Sequence, residues 1–162
     1  MIAIRPAVAA DVPLILALIR DLAAYEREPS AVVATEADLL RDGFGETPRF
    51  HVLLAERDGE PAGFAFYFFS YSTWRGRPAL YLEDLFVRPE HRAYGLGKAL
   101  MARLARIAVD EGCPRFVWEV LDWNEPALRF YASIGAEVLR SWLNVRLEGE
   151  ALARLAAADV PG

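Results

Sequence analysis

Leu14, Ile15, Leu18, Ile19 and Leu22 recur at three- and four-residue steps, which predicts an amphipathic helix ending near Tyr25, with Asp11 at its N-cap. Ile2 and Ile4 ahead of it alternate as in a short strand that Pro6 ends. Thr35 followed three residues later by Asp38 has the form of a capping box, so a shorter helix is expected there, ended by Gly43 and Gly45. His51 to Glu56 turns strand-like, Asp58-Gly59 is a hairpin signal, and the aromatic-rich run Gly63 to Tyr71 suits a well-buried strand. A loop from Ser72 to Pro78 then leads into an apolar strand, Leu80 to Val87. Leu96, Leu100, Leu104 and Ile107 predict a helix from about Gly97 to Gly112, and Phe116 to Leu121 a further strand. Asn124-Glu125-Pro126 opens a helix with the stripe Leu128, Tyr131, Ile134, closed by Gly135. A strand from Leu143 to Leu147 and a short helix from Glu150 complete the pattern. With no repeat, low-complexity tract or linker, residues 1–162 read as a single mixed α/β domain.

Composition sharpens this picture in three ways. At 162 residues and 54% apolar content the chain can bury a core without staples, and the lone Cys113 has no partner for an internal disulfide. No run of about 18 apolar residues occurs, so a soluble, cytoplasmic protein with no membrane partner is expected. The formal charge of −5 repels polyanions and argues against nucleic acid as a partner. His51 and His91, with one distant cysteine, have no metal-ligand spacing, so no metal is expected. Cys113, between Gly112 and Pro114, reads as a packing residue.

Candidate chemistry gathers between residues 80 and 98. Glu83 and Asp84 interrupt an apolar strand; by alternation they are expected on opposite faces, one of them facing the interior or a cleft. Arg88, His91, Arg92 and Lys98, the only lysine, crowd one stretch of an acidic chain. Gly95 and Gly97 lie between that strand and the next helix. They serve either as a tight strand-to-helix connection or as a cradle whose backbone N–H groups hold phosphate oxygens at a helix N-terminus. Neither a Walker loop nor the dinucleotide fingerprint is present.

The spacing R-x-x-G-x-G, here Arg92, Gly95 and Gly97, resembles the acyl-CoA signature of the GCN5-related N-acetyltransferases (GNAT). L-Y-L-E-D-L-F-V at 80–87, R-A-Y-G-L-G at 92–97, W-N-E-P at 123–126, F-Y at 130–131, D-L-L-R-D-G-F-G at 38–45 and Y-E at 25–26 resemble its diamine (spermidine/spermine) and thialysine acetyltransferase branch. The matches run in order through most of the chain.

The resemblance implies a GNAT acyl-CoA N-acyltransferase fold, an α+β arrangement with a mixed, mostly antiparallel central sheet flanked by helices and splayed at the 80–87 strand. It implies acetyl transfer from acetyl-CoA to a primary amine of a small cationic substrate, by direct attack in a ternary complex. Leu85, Phe86 and Val87 would pair with the pantetheine arm. Arg92, Ala93, Tyr94, Gly95, Leu96, Gly97 and Lys98 would hold the pyrophosphate, and Asn124, Pro126 and Ala127 would also touch the cofactor. Tyr131 matches the phenol that protonates the leaving thiolate; on periodicity alone it is one member of a helix stripe. Glu83 matches the proton acceptor, or else is a salt-bridged strand carboxylate. Tyr25, Glu26, Trp74, Glu83 and Asp84 match positions that recognise the cationic substrate; taken singly, Glu26 reads as a solvated helix-end charge and Tyr25 as a surface ring. A homodimer joined through C-terminal strands is implied as well, and the apolar Trp142–Leu147 segment permits it.

One departure bears on the substrate. Y-S-T-W at 71–74 stands where the branch has Y-D-P-W, so Ser72 lacks an aspartate that would hold a distal charge; a small diamine or amino-acid-like amine is favoured over spermine. Ile134 stands where the branch often has a basic residue near the cofactor. The competing readings are a protein N-terminus or lysine side chain as acceptor, and a catalytically silent acyl-CoA-binding module. Tyr131 and Glu83 together speak against the silent module.

Overall fold

The computed structural model describes residues 1–158. Its chain divides into two compact units, Met1–Glu119 and the residues from Val120 onward.

The first unit is built on a five-stranded sheet in the order β1 (Ile2–Pro6), β2 (His51–Arg57), β3 (Glu60–Ser72), β4 (Arg77–Val87) and β5 (Phe116–Trp118). The first four strands pair antiparallel and β5 joins β4 in parallel, so the expected mixed, mostly antiparallel sheet is present. Asp58 (φ 55°) and Gly59 (φ 85°) both take left-handed backbone at the β2–β3 turn, the geometry a two-residue hairpin with native twist requires. The β3–β4 turn is shorter than the expected loop: the ladder runs on to Ser72 opposite Arg77.

Helices cover both faces. α1 (Val12–Tyr25) and α2 (Glu36–Phe44) lie over Val52, Leu54, Phe64 and Phe86; Ile15, Leu18 and Leu22 of α1 and Leu39 of α2 fill the space between. Register puts Leu53, Ala65, Leu80 and Leu82 on the opposite face, beneath Leu100 and Leu104 of α3 (Leu96–Asp110). Each of the buried Leu, Ile and Val side chains contributes about 1.5–3 kcal/mol. Thr35 and Asp38 form the expected reciprocal cap. Asp11 stands at the N-cap of α1 as expected, but its carboxylate makes no bond to the helix N–H groups; it accepts the Val8 N–H at 2.8 Å and a two-pronged bond from Arg5. That guanidinium holds the Asp11 carboxyl below the usual carboxylate range.

The second unit contains α4 (Glu125–Ser133) and α5 (Gly149–Ala156). None of the side chains of α4 is fully buried: of the expected stripe Leu128 and Tyr131 are half-buried and Ile134, just past the helix end, is exposed, so it is not a core seam. The strands expected at 116–121 and 143–147 fare differently. The first stops at Trp118, and residues 142–148 form no ladder. β-branched and aromatic composition favours extended backbone, but a strand exists only where a partner supplies the hydrogen bonds. No helix among the described residues is long and apolar enough to cross a membrane.

Candidate active site

The site of the first unit grows out of an irregularity in β4. Leu82 pairs with Tyr67 and Asp84 with the adjacent Phe66, so Glu83 is the extra residue of a β-bulge. The bulge breaks the alternation expected from sequence. Asp84 falls on the face of Phe66, Phe64 and Phe86, beneath α1, instead of sharing the Leu82 face. Glu83 is exposed, and its charge acts on both neighbours of that face, Tyr81 and Asp84. Asp84 is half-buried. Loss of water, then the charges of Glu83 and Glu26, push its carboxyl up to about 7.

Glu26 reaches this face because of how α1 ends. The N–H of Glu28 bonds to Ala23 O and that of Arg27 to Ala24 O, a Schellman ending in which Arg27 (φ 66°) takes the left-handed position usually given to glycine. Tyr25 and Glu26 sit just before it, both half-buried, and burial raises the Glu26 carboxyl. Neither is the fully solvated group a single-residue reading gives. Two arginines fasten this end of α1 to β4. Arg88 Nε lies 2.9 Å from Asp21 Oδ2, and Arg92 stacks its guanidinium 4.5 Å from the Tyr25 ring centre.

Sequence reasoning missed Tyr81 and Glu119. The Tyr81 hydroxyl is hydrogen-bonded to the Glu119 carboxylate, and burial together with Glu119 and Glu83 pushes the phenol up to about 12. Parallel pairing of Tyr81 with Val117 sets Glu119 along the same face, a signal visible only once β5 has its register.

The main chain of β4 presents an open edge. The N–H of Arg88 goes to Ala62 O on the β3 side, so by alternation the N–H and C=O groups of Leu85 and Val87 point the other way, past the end of β5. Phe86 faces the α1 core. Beyond Val87 the chain makes a 3₁₀ turn (Pro89–His91) and enters a tight loop in which Ala93 (φ 67°) and Gly95 (φ 85°) are left-handed. The first helical bond of α3 is Ala99 N–H to Gly95 O, which leaves the N–H groups of Leu96, Gly97 and Lys98 outside the helical ladder. Gly95 is dictated by its φ. Gly97 is not: a Cβ there meets nothing within 4 Å, so the protein's own packing leaves room that a phosphate can occupy. This open approach at a helix N-terminus fits the pyrophosphate of acetyl-CoA. Lys98 is exposed beside it, whereas Arg92 Nε is committed to Val87 O at 2.9 Å and Tyr94 is stacked under Arg57.

Trp74 is 89% exposed at the tip of the β3–β4 hairpin, so it makes little contact with its own chain. Ser72 accepts the Arg75 N–H through its hydroxyl and shapes that tip. In the second unit, Asn124 caps α4 by accepting the Ala127 N–H at 3.4 Å, Pro126 occupies the first turn, and Tyr131 is half-buried beside Phe130. Among the described residues no group of three or more His, Cys, Asp or Glu is arranged to hold a metal ion.

Comparison with known proteins bears on this geometry. Residues 16–136 match the acetyltransferase (GNAT) family. The chain is 44% identical to a thialysine N-epsilon-acetyltransferase of Bos taurus over 94% of its own length and 96% of the relative's. It is 40% identical to a spermidine/spermine N(1)-acetyltransferase-like protein 1 of Homo sapiens, over 94% of this chain and 23% of that one. Among solved structures, an integron cassette protein from the mobile metagenome of V. cholerae superposes with a TM-score of 0.82 at 29% identity, covering 97% of this chain and 98% of that one. With residues 16–136 matched to the family and a 44% identical relative spanned over nearly its whole length, the chain belongs to the acetyltransferase (GNAT) family.

Proposed function

We propose that this acetyltransferase moves the acetyl group of acetyl-CoA to a primary amine of a small cationic substrate, a diamine or a thialysine- or lysine-like amine. The observation that carries the substrate class is the carboxylate group on the α1 side of β4. Asp84 is half-buried between the charges of Glu83 and Glu26, and no cation is among the influences on its carboxyl. A bound ammonium group relieves that mutual repulsion, and the Tyr25 face adds cation–π attraction. The names of the two relatives, thialysine and spermidine/spermine acetyltransferases, support the same class.

Acetyl-CoA supplies a thioester whose carbonyl carbon is open to attack by a neutral amine. The edge groups of Leu85 and Val87 are suited to the pantetheine amides, and Ala93 to Lys98 to the pyrophosphate, with Asn124, Pro126 and Ala127 as further contacts. The substrate arrives as an ammonium ion and must lose a proton before it can attack. Glu83 and Asp84 interact as a pair and take that proton together. With Asp84 held near 7 the pair accepts it at neutral pH, where an ordinary aspartate is too weak a base. Tyr131 returns a proton to the departing thiolate. The whole chain acts as one acetyltransferase domain.

The active species is a homodimer. Its supporting observation is the segment around Trp142 and Val145, 75% and 89% exposed, a largely apolar run that forms neither helix nor ladder. A dimer is expected in size-exclusion chromatography with light scattering, and a monomer at all concentrations refutes it.

The activity is tested by CoA release with spermidine, spermine, putrescine, thialysine, lysine, ornithine and a lysine-containing peptide. Turnover on at least one short amine is expected. Turnover on the peptide alone contradicts the substrate class, and acetyl-CoA binding with no turnover contradicts the activity.

A further inference from the structure

We infer that Arg92, besides lying at the cofactor loop, is a positioning residue that fixes Tyr25 for the amine and so couples the cofactor edge to the substrate face. This rests on the reading of Tyr25 and its neighbours as the amine pocket. The side chain spans two elements. Its Nε donates to Val87 O at 2.9 Å, at the open edge of β4. Its guanidinium carbon is 4.5 Å from the centre of the Tyr25 ring at the end of α1 and 5.6 Å from that of Phe86. Tyr25 and Phe86 themselves stand 6.3 Å apart and tilted by 49°, so Arg92 covers a two-ring platform.

Three features make this a built connection. Val87 C=O belongs to the edge offered to the cofactor, and a carbonyl has two acceptor lone pairs, so the Arg92 bond orients it while leaving one free. Tyr25 lies one helical turn beyond Asp21, which holds Arg88, so two arginines from the end of β4 grip a single face of α1. Glu26, next to Tyr25, is one of the charges that act on Asp84. A displacement of Arg92 is therefore passed to Tyr25, then to Glu26 and Asp84. A planar guanidinium with a fixed Nε–H can make the bond and the stack together, whereas a lysine ammonium supplies charge alone.

The test uses the full chain, the amine turned over fastest in the panel above, and saturating acetyl-CoA, with acetyl-CoA Kd measured separately by calorimetric titration and folding by thermal melting. Arg92→Gln is expected to raise the amine KM about three- to tenfold while kcat falls less than about twofold, and Tyr25→Leu to act alike. The double variant is expected to match the single ones rather than multiply them. Arg92→Lys is expected to recover acetyl-CoA affinity without recovering amine KM. An Arg92→Gln effect confined to acetyl-CoA, or a multiplicative double variant, overturns the inference. If Tyr25→Leu raises the amine KM and Arg92→Gln does not, the pocket reading stands and the positioning role is refuted; if Tyr25→Leu changes nothing, both are refuted.

Discussion

Replacing Asp84 by asparagine should make the protein more stable at alkaline pH, and progressively less so in acid. The folded chain holds the Asp84 proton to about 7, against 3.8 for an unperturbed side chain. Between those values the folded state binds more protons than the unfolded state, so stability falls as pH rises through the window and the whole cost is present above 7. A shift of about three units corresponds to about 4 kcal/mol at most. The side chain is only half-buried, and water screening reduces the figure to about 2 kcal/mol. For a chain of this size that corresponds to a melting temperature about 4–8 °C higher for Asp84→Asn at pH 8, and about 2–3 °C higher at pH 5, where a little over a third of the cost is already present. Thermal melts followed by circular dichroism at pH 5, 6, 7 and 8 measure the difference directly. A gap that does not widen with pH refutes the claim that the carboxylate is held charged at a cost. The same ionisation should appear in catalysis: kcat/KM for the amine falls below about pH 7 in the parent, and Asp84→Asn removes that limb along with most of the activity.

Other substitutions separate the roles assigned along the chain. Gly95→Ala forces a side chain into left-handed backbone and should cost about 1 kcal/mol, seen as a lower melting temperature. Gly97→Ala should leave melting unchanged or slightly raised while weakening acetyl-CoA binding about tenfold, because its Cβ enters open space at the proposed pyrophosphate site. Tyr131→Phe should lower kcat about a hundredfold with acetyl-CoA Kd unchanged; a drop below tenfold refutes the acid role. Ser72→Asp, which restores an anion at the hairpin tip, should improve spermine relative to putrescine in kcat/KM, and equal ratios in both proteins would dismiss that residue as a selector.

Elements governed by local chemistry were legible in the residues themselves. The apolar spacing of α1, the Thr35–Asp38 cap and the Asp58-Gly59 turn each carry their own cause within a few positions. Features that depend on a distant partner were not. The bulge at Glu83 is a property of the β3–β4 register, and it is what sets Asp84 on the α1 face and Leu82 on the other. β5 ends at Trp118 because its ladder with β4 ends there, and residues 143–147 have strand composition with no ladder among the described residues. The site divides in the same way. Gly95 and Gly97 mark the strand-to-helix connection in sequence, but the left-handed Ala93 beside them does not. Glu26 and Asp84 lie 58 positions apart and come together only through the Schellman ending of α1 and the bulge of β4. Tyr81 with Glu119, and Arg92 over Tyr25, needed the assembled sheet.

The central claim is that this acetyltransferase selects a small amine by its second positive charge. The most direct measurement compares kcat/KM for putrescine with that for butylamine, the same carbon chain lacking one ammonium group, at saturating acetyl-CoA. Loss of one charge-assisted contact of about 1.5–3 kcal/mol predicts a preference for the diamine of about tenfold or more. Equal values for the two amines would contradict the account, because the carboxylates around Asp84 would then play no part in choosing the substrate.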